Sequence, residues 1–275
     1  MADISETSSS DGAAPDETRN ARIEFPYAAA TLAILLAIWQ AATTLLNVPT
    51  FLLPSPAAIA TTAATHWQLL LREAGITTYE ILLGFGLSVA IAVPLAVLLT
   101  YSRAVERAIY PLIVGSQAIP KVAVAPLFLA WFGFGLKPKI VIVVLMAFFP
   151  IVINSVVGLK SLSPEMLNLA RSMGATRLQI FRRFQLPNSL PGIFAGMKVA
   201  IVLAVIGAVV AEFVGADGGL GFVIMMATAD LDIARQFAAI VLLSVIGMIL
   251  FAVLQRIERR CLPWHISVRR DLVEA

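Results

Sequence analysis

A polar segment in the second half of the chain concentrates positive charge. Residues 165–187 read EMLNLARSMGATRLQIFRRFQLP, and the sequence on both sides is apolar enough to reside in lipid. The segment contains four arginines, which are Arg171, Arg177, Arg182 and Arg183. Guanidinium groups bind carboxylates and phosphates, so we expect these side chains to meet acidic groups of a partner or lipid headgroups.

No residue pattern typical of catalysis accompanies this charge. The sequence has no Gly-x-x-x-x-Gly-Lys-Ser/Thr loop, which would bind nucleotide phosphates. His66 and His265 are too far apart to indicate a metal site, and the glycine-rich run 215–221 lacks dinucleotide-binding spacing and is typical of a tight outer turn. We therefore predict a protein that is not an enzyme and has no cofactor or metal.

The composition places the chain in a membrane. Hydrophobic residues make up 59% of the sequence and charged residues 13%, against about 45–50% and about 25% in soluble domains. The mean hydropathy is +0.89. The net charge of +3 is too small to argue for nucleic-acid binding. Cys261 is the single cysteine, which excludes an intramolecular disulfide.

Six apolar segments follow a polar start. Residues 1–25 are rich in Asp, Glu and Ser, which predicts a disordered tail. A helix of about 20 residues crosses the hydrocarbon core. Within a membrane domain of residues 26–258, the predicted spans are 27–46, 81–99, 112–132, 140–158, 193–214 and 237–254. With a second tail at 259–275, the sequence predicts an all-α, polytopic membrane protein.

The basic residues predict the orientation of the spans. An even number of spans puts both termini on one side of the membrane. Fourteen of the 20 Lys and Arg residues fall on that side, four fall on the other, and Lys121 and Lys198 lie within spans. Because basic loops remain in the cytoplasm, we expect both termini and the arginine-rich loop to be cytoplasmic.

The connection between the first two predicted spans contains a helix start. Ser55 is placed to cap a helix whose first residue is Pro56. Residues 57–71 then form either a helix in the membrane interface, with Trp67 at headgroup level, or a structured outer loop.

The arginine-rich loop, residues 160–191, begins with the same type of signal. Ser163 and Pro164 start a helix that we expect to run to about Met173. Gly174 follows where a left-handed residue would end that helix. The first half of the loop is therefore predicted to be a short, sharply terminated helix.

A second helix is predicted directly after it. Thr176 can cap this helix, which would reach about Gln185. We expect Pro187 and Pro191 to break the chain before the fifth span. A short pair that is rigid at both ends can transmit a push from a partner to the neighbouring spans.

These residues resemble the membrane-spanning permease subunit of bacterial ABC importers, which depend on a binding protein. That family has a cytoplasmic motif of Glu-Ala-Ala, three residues, Gly, nine residues, Ile, one residue and Leu-Pro. The residues that match at these spacings are Ala170, Gly174, Leu186 and Pro187. Asn168, Leu169 and Phe184 replace the Glu, the first Ala and the Ile. Glu165 lies one helical turn earlier, where the resemblance implies that it partly substitutes for the missing acid.

Other segments narrow the resemblance to the taurine, alkanesulfonate and nitrate branch. They are LPSPAAI at 53–59, AIPKVAVAPLFLAWFGFG at 118–135, FFPIVINSVVGL at 148–159, VVAEFVGADGGLG at 209–221 and RRCLPW at 259–264. The resemblance implies a pair of permeases, here a homodimer. Two cytoplasmic ATPase subunits would bind its coupling loops, and an outer solute-binding protein would deliver the solute.

The resemblance also implies roles for particular residues. The expected ATPase-coupling residues are Asn168, Ala170, Arg171, Gly174, Arg177, Leu186 and Pro187. The expected pathway or gate residues are Gln117, Lys121, Asn154 and Glu212. Lys121 either suits an anionic solute or extends its charge to the membrane edge. Glu212 is expected to hold or gate the outer end of the fifth span.

The function predicted from the sequence is the permease subunit of an ATP-driven importer in the bacterial inner membrane. Its cargo is a small anionic solute such as a sulfonate, taurine or nitrate, or alternatively a pyrimidine thiamine precursor, a flavin or an aromatic acid. A secondary transporter driven by an ion gradient is the alternative of another class. A helix–turn–helix DNA-binding protein is disfavoured by the six predicted spans, so we expect a lipid bilayer and no nucleic acid as partner.

Overall fold

The computed structural model of the protein describes residues 17–215 and 217–263. Within these residues the chain is helical and contains no strand. The helices are α1 Glu17–Leu45, α2 Pro56–Thr65, α3 Trp67–Tyr101, α4 Arg103–Gly115, α5 Lys121–Phe132, α6 Leu136–Lys160, α7 Pro164–Ser172, α8 Arg177–Ile180, α9 Leu186–Gly215, α10 Leu220–Ala229 and α11 Ile233–Cys261. Most of both predicted tails lies outside the described residues. Helix α1 begins at Glu17, inside the predicted first tail.

Helices α3, α6 and α9 form the core, and α6 has its most extensive contacts with α9 and then with α3. Ile81, Ile151 and Leu159 are among its fully buried side chains. Helices α3 and α6 are parallel and α9 is antiparallel to both, because the start of α3 contacts the start of α6 and the end of α9. The 30 residues of α9 span about 45 Å. The bundle therefore has two separate ends, which we call the loop end, beside α7 and α8, and the α10 end.

Glycines allow α6 and α9 to approach closely. A Cβ atom added to Gly158 would lie 2.8 Å from the carbonyl oxygen of Ser189, and one added to Gly196 would lie 2.8 Å from that of Pro150. Small residues at such crossings let helices gain dispersion contacts in a membrane, where the hydrophobic effect does not drive helices together. The glycines of these two helices therefore serve packing.

The predicted count of six spans is not confirmed. Among the described residues, four helices are long and apolar enough to cross a membrane, or five if one bent pair is counted as a span. The four are α3, α6, the continuous helix Arg177–Gly215, and α11. The described apolar part of α1, Ala30–Leu45, is shorter than these.

The predicted third span, 112–132, is interrupted by Pro120, Lys121 and Pro126 in the sequence, and the structure bends it at Pro120. Helix α4 is followed by a 3₁₀ turn, Ser116–Ala118, and the pair formed with α5 is bent by 100°. Ile119 and Pro120 between them are extended, with ψ of 125° and 97°. Proline disfavours helical dihedrals in the residue before it and has no N–H to donate, which accounts for the bend.

The helix start at Ser55 is confirmed, but the proposed helix over 57–71 is wrong in extent. The hydroxyl of Ser55 accepts a hydrogen bond from the Ala58 N–H at 3.2 Å, and Pro56 is the first helical residue. Helix α2 ends at Thr65, since His66 departs from helical dihedrals (φ −105°, ψ 22°). Trp67 then begins the long helix α3.

The prediction that Pro187 and Pro191 break the chain is also wrong. Helix α8 continues through a π turn, Phe181–Gln185, directly into α9. In this wider turn the Leu186 N–H donates to the Phe181 carbonyl, five residues back. Pro187 then falls in the first turn of α9, where a missing N–H is tolerated. Pro191 lies inside the same helix without ending it.

Candidate functional site

The α7–α8 pair is built by local capping, as predicted. The hydroxyl of Ser163 accepts from the Met166 N–H at the start of α7. At its end the Gly174 N–H donates to the Arg171 carbonyl at 2.9 Å, and the Ala175 N–H donates to the Ala170 carbonyl at 3.1 Å. These two bonds form a Schellman motif, and Gly174 has φ +75°. The turn therefore needs glycine for its dihedrals, although a Cβ atom there would meet nothing within 4 Å.

Helix α8 starts with a reciprocal cap. The hydroxyl of Thr176 accepts from the Gln179 N–H at 3.4 Å, and the Gln179 side chain accepts from the Thr176 N–H at 2.8 Å. This capping box fixes the direction of the helix immediately after the turn. The chain continues from α8 through the turn Phe181–Gln185 into α9, so the pair is joined to a core helix without a break.

Side chains from the core anchor the pair. The Tyr101 hydroxyl, at the end of α3, donates to the Gln185 Oε1 atom at 2.6 Å. The rings of Tyr101 and Phe181 pack edge to face, with their centroids 5.6 Å apart. After the end of α6, the hydroxyl of Ser161 accepts from Asn188 of α9 at 2.8 Å. Tyr101 was not among the residues predicted from the sequence. An aromatic residue with a polar tip at the end of an apolar helix is the pattern that could have indicated it.

The pair also carries exposed apolar residues. Leu169, Met173 and Leu178 are 62%, 76% and 64% exposed. Leu169 and Met173 are one helical turn apart and are neighbours at the end of α7. Neighbouring exposed apolar groups that form a contiguous patch are typical of a surface that binds another protein. Ala170, by contrast, is buried and holds α7 against the body.

The predicted coupling residues are divided between two places. Asn168, Arg171, Gly174 and Arg177 are exposed on the pair. Leu186 and Pro187 are half-buried at the start of α9. Leu186 and Pro187 therefore lie where the pair joins α9 and do not belong to the exposed surface of the pair.

The four predicted pathway residues do not meet in one place. Gln117 is exposed in the 3₁₀ turn, and the Lys121 ammonium lies 4.7 Å from the ring centre of Phe149. Asn154 donates to the carbonyl of Pro150 on its own helix at 2.8 Å. Glu212 lies at the α10 end, near Lys139 at the start of α6. Lys139 and Asn154 are about 22 Å apart along α6, so Glu212 is far from Asn154.

Glu212 belongs to a buried polar network that caps α10. Its Oε1 atom accepts from the Thr77 hydroxyl at 2.7 Å, and its Oε2 atom accepts from the Gly221 N–H. The Gly219 N–H donates to Glu73 at 2.6 Å, and the Leu220 N–H donates to the Thr77 oxygen at 2.8 Å. Three successive N–H groups at the start of α10 thus bind side chains of α3 and α9, where helix N-terminal donors and carboxylates attract each other.

A buried ion pair lies beside this network. The Lys139 ammonium donates to Glu80 at 2.8 Å and to the Gly218 carbonyl at 3.4 Å. Both side chains are almost completely buried. The predicted spans 112–132 and 140–158 place Lys139 in the outer loop between them, but it lies inside the bundle at the start of α6.

The spacing of the polar residues on α3 is a signal that the sequence analysis missed. Glu73, Thr77 and Glu80 are separated by four and three residues, so they lie on one helix face. Polar residues on one face of an otherwise apolar helix indicate a polar partner inside the bundle.

Known proteins share this architecture. The family described as binding-protein-dependent transport system inner membrane component matches residues 85–262. The chain belongs to this family. It is thus a permease subunit of the ABC importer class, consistent with the resemblance to the taurine and sulfonate branch.

Three curated relatives cover most of the chain. The formylaminopyrimidine transport permease ThiX of Halalkalibacterium halodurans is 38% identical over 84% of this chain and 93% of its own length. The riboflavin transport permease RibX of Chloroflexus aurantiacus is 39% identical over 86% of this chain and 89% of its own. The taurine transport permease TauC of Escherichia coli is 31% identical over 87% and 90%.

A solved structure shares the fold. The MetNI methionine ABC transporter, in an inward-facing conformation, contains a chain that aligns with a TM-score of 0.63 and 23% identity. The alignment covers 72% of this chain and 98% of that one. The all-α membrane fold predicted from the sequence is therefore confirmed.

Proposed function

We propose that this permease docks a separate ATPase subunit through the α7–α8 pair. The observation that supports the docking site is the exposed surface of Leu169, Met173 and Leu178 on a pair tied to α3, α6 and α9. A rigid element that continues into α9 can convert a movement of the ATPase into a movement of the bundle. In this proposal ATP is hydrolysed on the partner and not on this chain.

Gly174 is the position of this surface that we expect to be most sensitive. Asp there would force a side chain into a left-handed dihedral, at a cost of about 1–2 kcal/mol, and would add bulk between the chain and its partner. Gly174→Asp is expected to leave the permease in the membrane while the ATPase fails to co-purify or hydrolyses ATP without transport. Gly133 is a stringent control outside the pair, since it has open space around it and φ +73° with ψ −172°, where a side chain is disfavoured at least as strongly. Gly133→Asp should keep the ATPase bound. Normal co-purification with normal coupled uptake in Gly174→Asp would contradict the assignment.

We propose that the loop end faces the cytoplasm of the bacterial cell, with the chain in the inner membrane. The basic bias of fourteen residues against four supports this orientation. The test starts from a Cys261→Ser background, because Cys261 is exposed. In intact cells an impermeant thiol reagent should label Ala229→Cys, at the exposed end of α10, and leave Ser172→Cys unlabelled. Labelling of Ser172→Cys alone would reverse the orientation.

We propose that two identical copies pair to form the translocation pathway and that an outer binding protein delivers the solute. An open apolar groove of about 500 Å³ between α9 and α11, lined by residues such as Val202, Ile206 and Met248, offers a surface for the second copy. Two differently tagged copies expressed together should co-purify in detergent. Recovery of one tag alone would reject the homodimer.

For the cargo, a heterocyclic solute of the pyrimidine or flavin type is the first candidate. The relatives named for formylaminopyrimidine and riboflavin are 38% and 39% identical, against 31% for the taurine permease. A small anion such as a sulfonate is the second candidate, supported by Lys121, which has no ion pair among the described residues. Calorimetry on the binding protein that stimulates the complex, titrated with both solute classes, decides between them.

The energy source is tested separately. Uptake by the purified complex in vesicles should require ATP and persist when ionophores collapse the ion gradients. Uptake that stops with the gradient and continues without ATP would instead indicate a secondary transporter.

A further inference from the structure

A polar groove lies beside the α7–α8 pair at the loop end. It has a volume of about 460 Å³ and is enclosed by the end of α3, the start of α4, and the pair itself. Three arginines line it from three different helices, which are Arg103 of α4, Arg171 of α7 and Arg177 of α8. Tyr101 and Gln185, which join α3 to the pair, form part of the same wall.

The positive charge of this groove is not neutralised by the described part of the chain. The groove lining contains no Asp or Glu, and the three arginines form no ion pair with a described residue. The acid nearest to them on α4, Glu106, is paired with Lys160. Arginine remains charged at every physiological pH. The groove therefore presents a fixed positive charge that fits a carboxylate or another anionic group.

The groove and the docking surface proposed above both include residues of the α7–α8 pair. Arg171 and Arg177 belong to the same pair as the exposed Leu169, Met173 and Leu178. On that pair, Asn168 stands where the family motif has its acid. The complement required of a protein bound here is thus apolar contact together with negative charge.

We propose that the groove receives acidic side chains of the ATPase subunit, and that Arg103 is a docking residue outside the α7–α8 pair. This inference rests on the proposed docking function and adds the chemistry of the partner surface to it. Bidentate guanidinium–carboxylate pairs would fix the register of the ATPase on the permease. Arg103 would connect the docked ATPase to α4, and hence to the bent α4–α5 pair.

The test measures binding of the purified ATPase to immobilised permease in detergent without added lipid, across a series of salt concentrations. Wild-type affinity should fall as salt rises, because salt screens exposed charges. Arg103→Glu should weaken binding by roughly tenfold or more and flatten the salt dependence. Arg103→Gln should be intermediate and Arg103→Lys least affected. The matched control is Arg107→Glu, an exposed position on the same helix outside the groove lining, which should stay within about twofold of wild type.

Three results separate the alternatives. If Arg103→Glu and Arg103→Gln, both monodisperse by size exclusion, bind the ATPase as wild type does with the same salt slope, the groove assignment is wrong. If the variants change binding only in vesicles containing phosphatidylglycerol, and not in detergent or phosphatidylcholine vesicles, the groove binds lipid headgroups and the proposal fails. If Gly174→Asp releases the ATPase but the Arg103 variants do not, docking on the pair remains and only the groove assignment is rejected.

Discussion

The two ends of the bundle differ in the burial and the pairing of their charged side chains. At the α10 end, Glu73, Glu212 and Lys139 are buried, and each has a hydrogen-bond partner within the chain. At the loop end, Arg171 and Arg177 are exposed and form no ion pair with a described residue. A charge removed from water must be matched by the same chain, whereas an exposed charge can be matched by another molecule.

This contrast extends to the glycines of the two ends. Gly219 and Gly174 both have positive φ, at +107° and +75°. A Cβ atom on Gly219 would lie 2.0 Å from Glu212, whereas one on Gly174 would meet nothing within 4 Å. At the α10 end the space beside the glycine is therefore filled by Glu212 of the same chain. The loop end has a fixed backbone but an open surface, as expected of an element that docks a partner.

The largest effect is expected when the buried ion pair is broken. Lys139→Met leaves Glu80, which is 1% exposed, without its counter-charge. Loss of one partner of such a pair costs about 3–5 kcal/mol, so the melting temperature in detergent should fall clearly. Lys137→Met, at an exposed position two residues earlier, should change stability by no more than about 0.5 kcal/mol.

A double variant tests whether the charge itself is responsible. Lys139→Met combined with Glu80→Met removes both charges and should recover much of the lost stability, because apolar replacements of a buried pair are often neutral. Equal melting temperatures for Lys139→Met and Lys137→Met would show that Lys139 is hydrated in the protein and that the α10 end is not internally paired.

A smaller effect is expected from a glycine comparison. Gly219→Ala combines a dihedral cost of about 1–3 kcal/mol, since φ +107° and ψ 166° lie in a region that essentially only glycine adopts, with overpacking against Glu212 of about 1–3 kcal/mol. Gly174→Ala has only a left-handed dihedral cost of about 1–2 kcal/mol, because its surroundings are open. Size-exclusion profiles and melting curves of the two variants should therefore rank Gly219→Ala below Gly174→Ala. The reverse order would contradict the tight cap around α10.

Much of the helical architecture could be predicted because its causes are local. Ser55, Ser163, Gly174 and Thr176 act within a few residues of their own positions, and the structure has them in the predicted roles. Hydropathy located long helices for the same reason, since it depends on composition over a short window.

The features that escaped prediction depend on distant residues or on detailed backbone geometry. Thr77 and Glu212 are 135 positions apart, and Tyr101 and Gln185 are 84 apart, so no local pattern joins them. The π turn, which lets the helix continue past Pro187 without a break, has no characteristic sequence pattern by which it could be predicted. Lys139 was misplaced because its partner Glu80 is 59 positions away.

The smallest effect is expected at the contact of Tyr101, on α3, with the turn Phe181–Gln185 that follows α8; we call this contact the joint. Tyr101→Phe removes the hydrogen bond to Gln185 and keeps the ring contact with Phe181. Because such a bond contributes about 0.5–1.5 kcal/mol, the complex should assemble and melt almost as wild type does. If the joint transmits movement from the pair to α3, the number of ATP molecules hydrolysed per solute imported should nevertheless rise.

Tyr79→Phe is the control for this joint, since Tyr79 is on the same helix, away from the pair, and 55% exposed. It should leave both melting and coupling unchanged. A coupling ratio in Tyr101→Phe equal to that of Tyr79→Phe would mean that Tyr101 only stabilises the loop end. In that case α9, which continues directly from α8, would be the sole route by which the pair moves the core. A raised ratio at unchanged melting temperature would instead assign α3 a share of the transmission, because loss of stability could not explain the uncoupling.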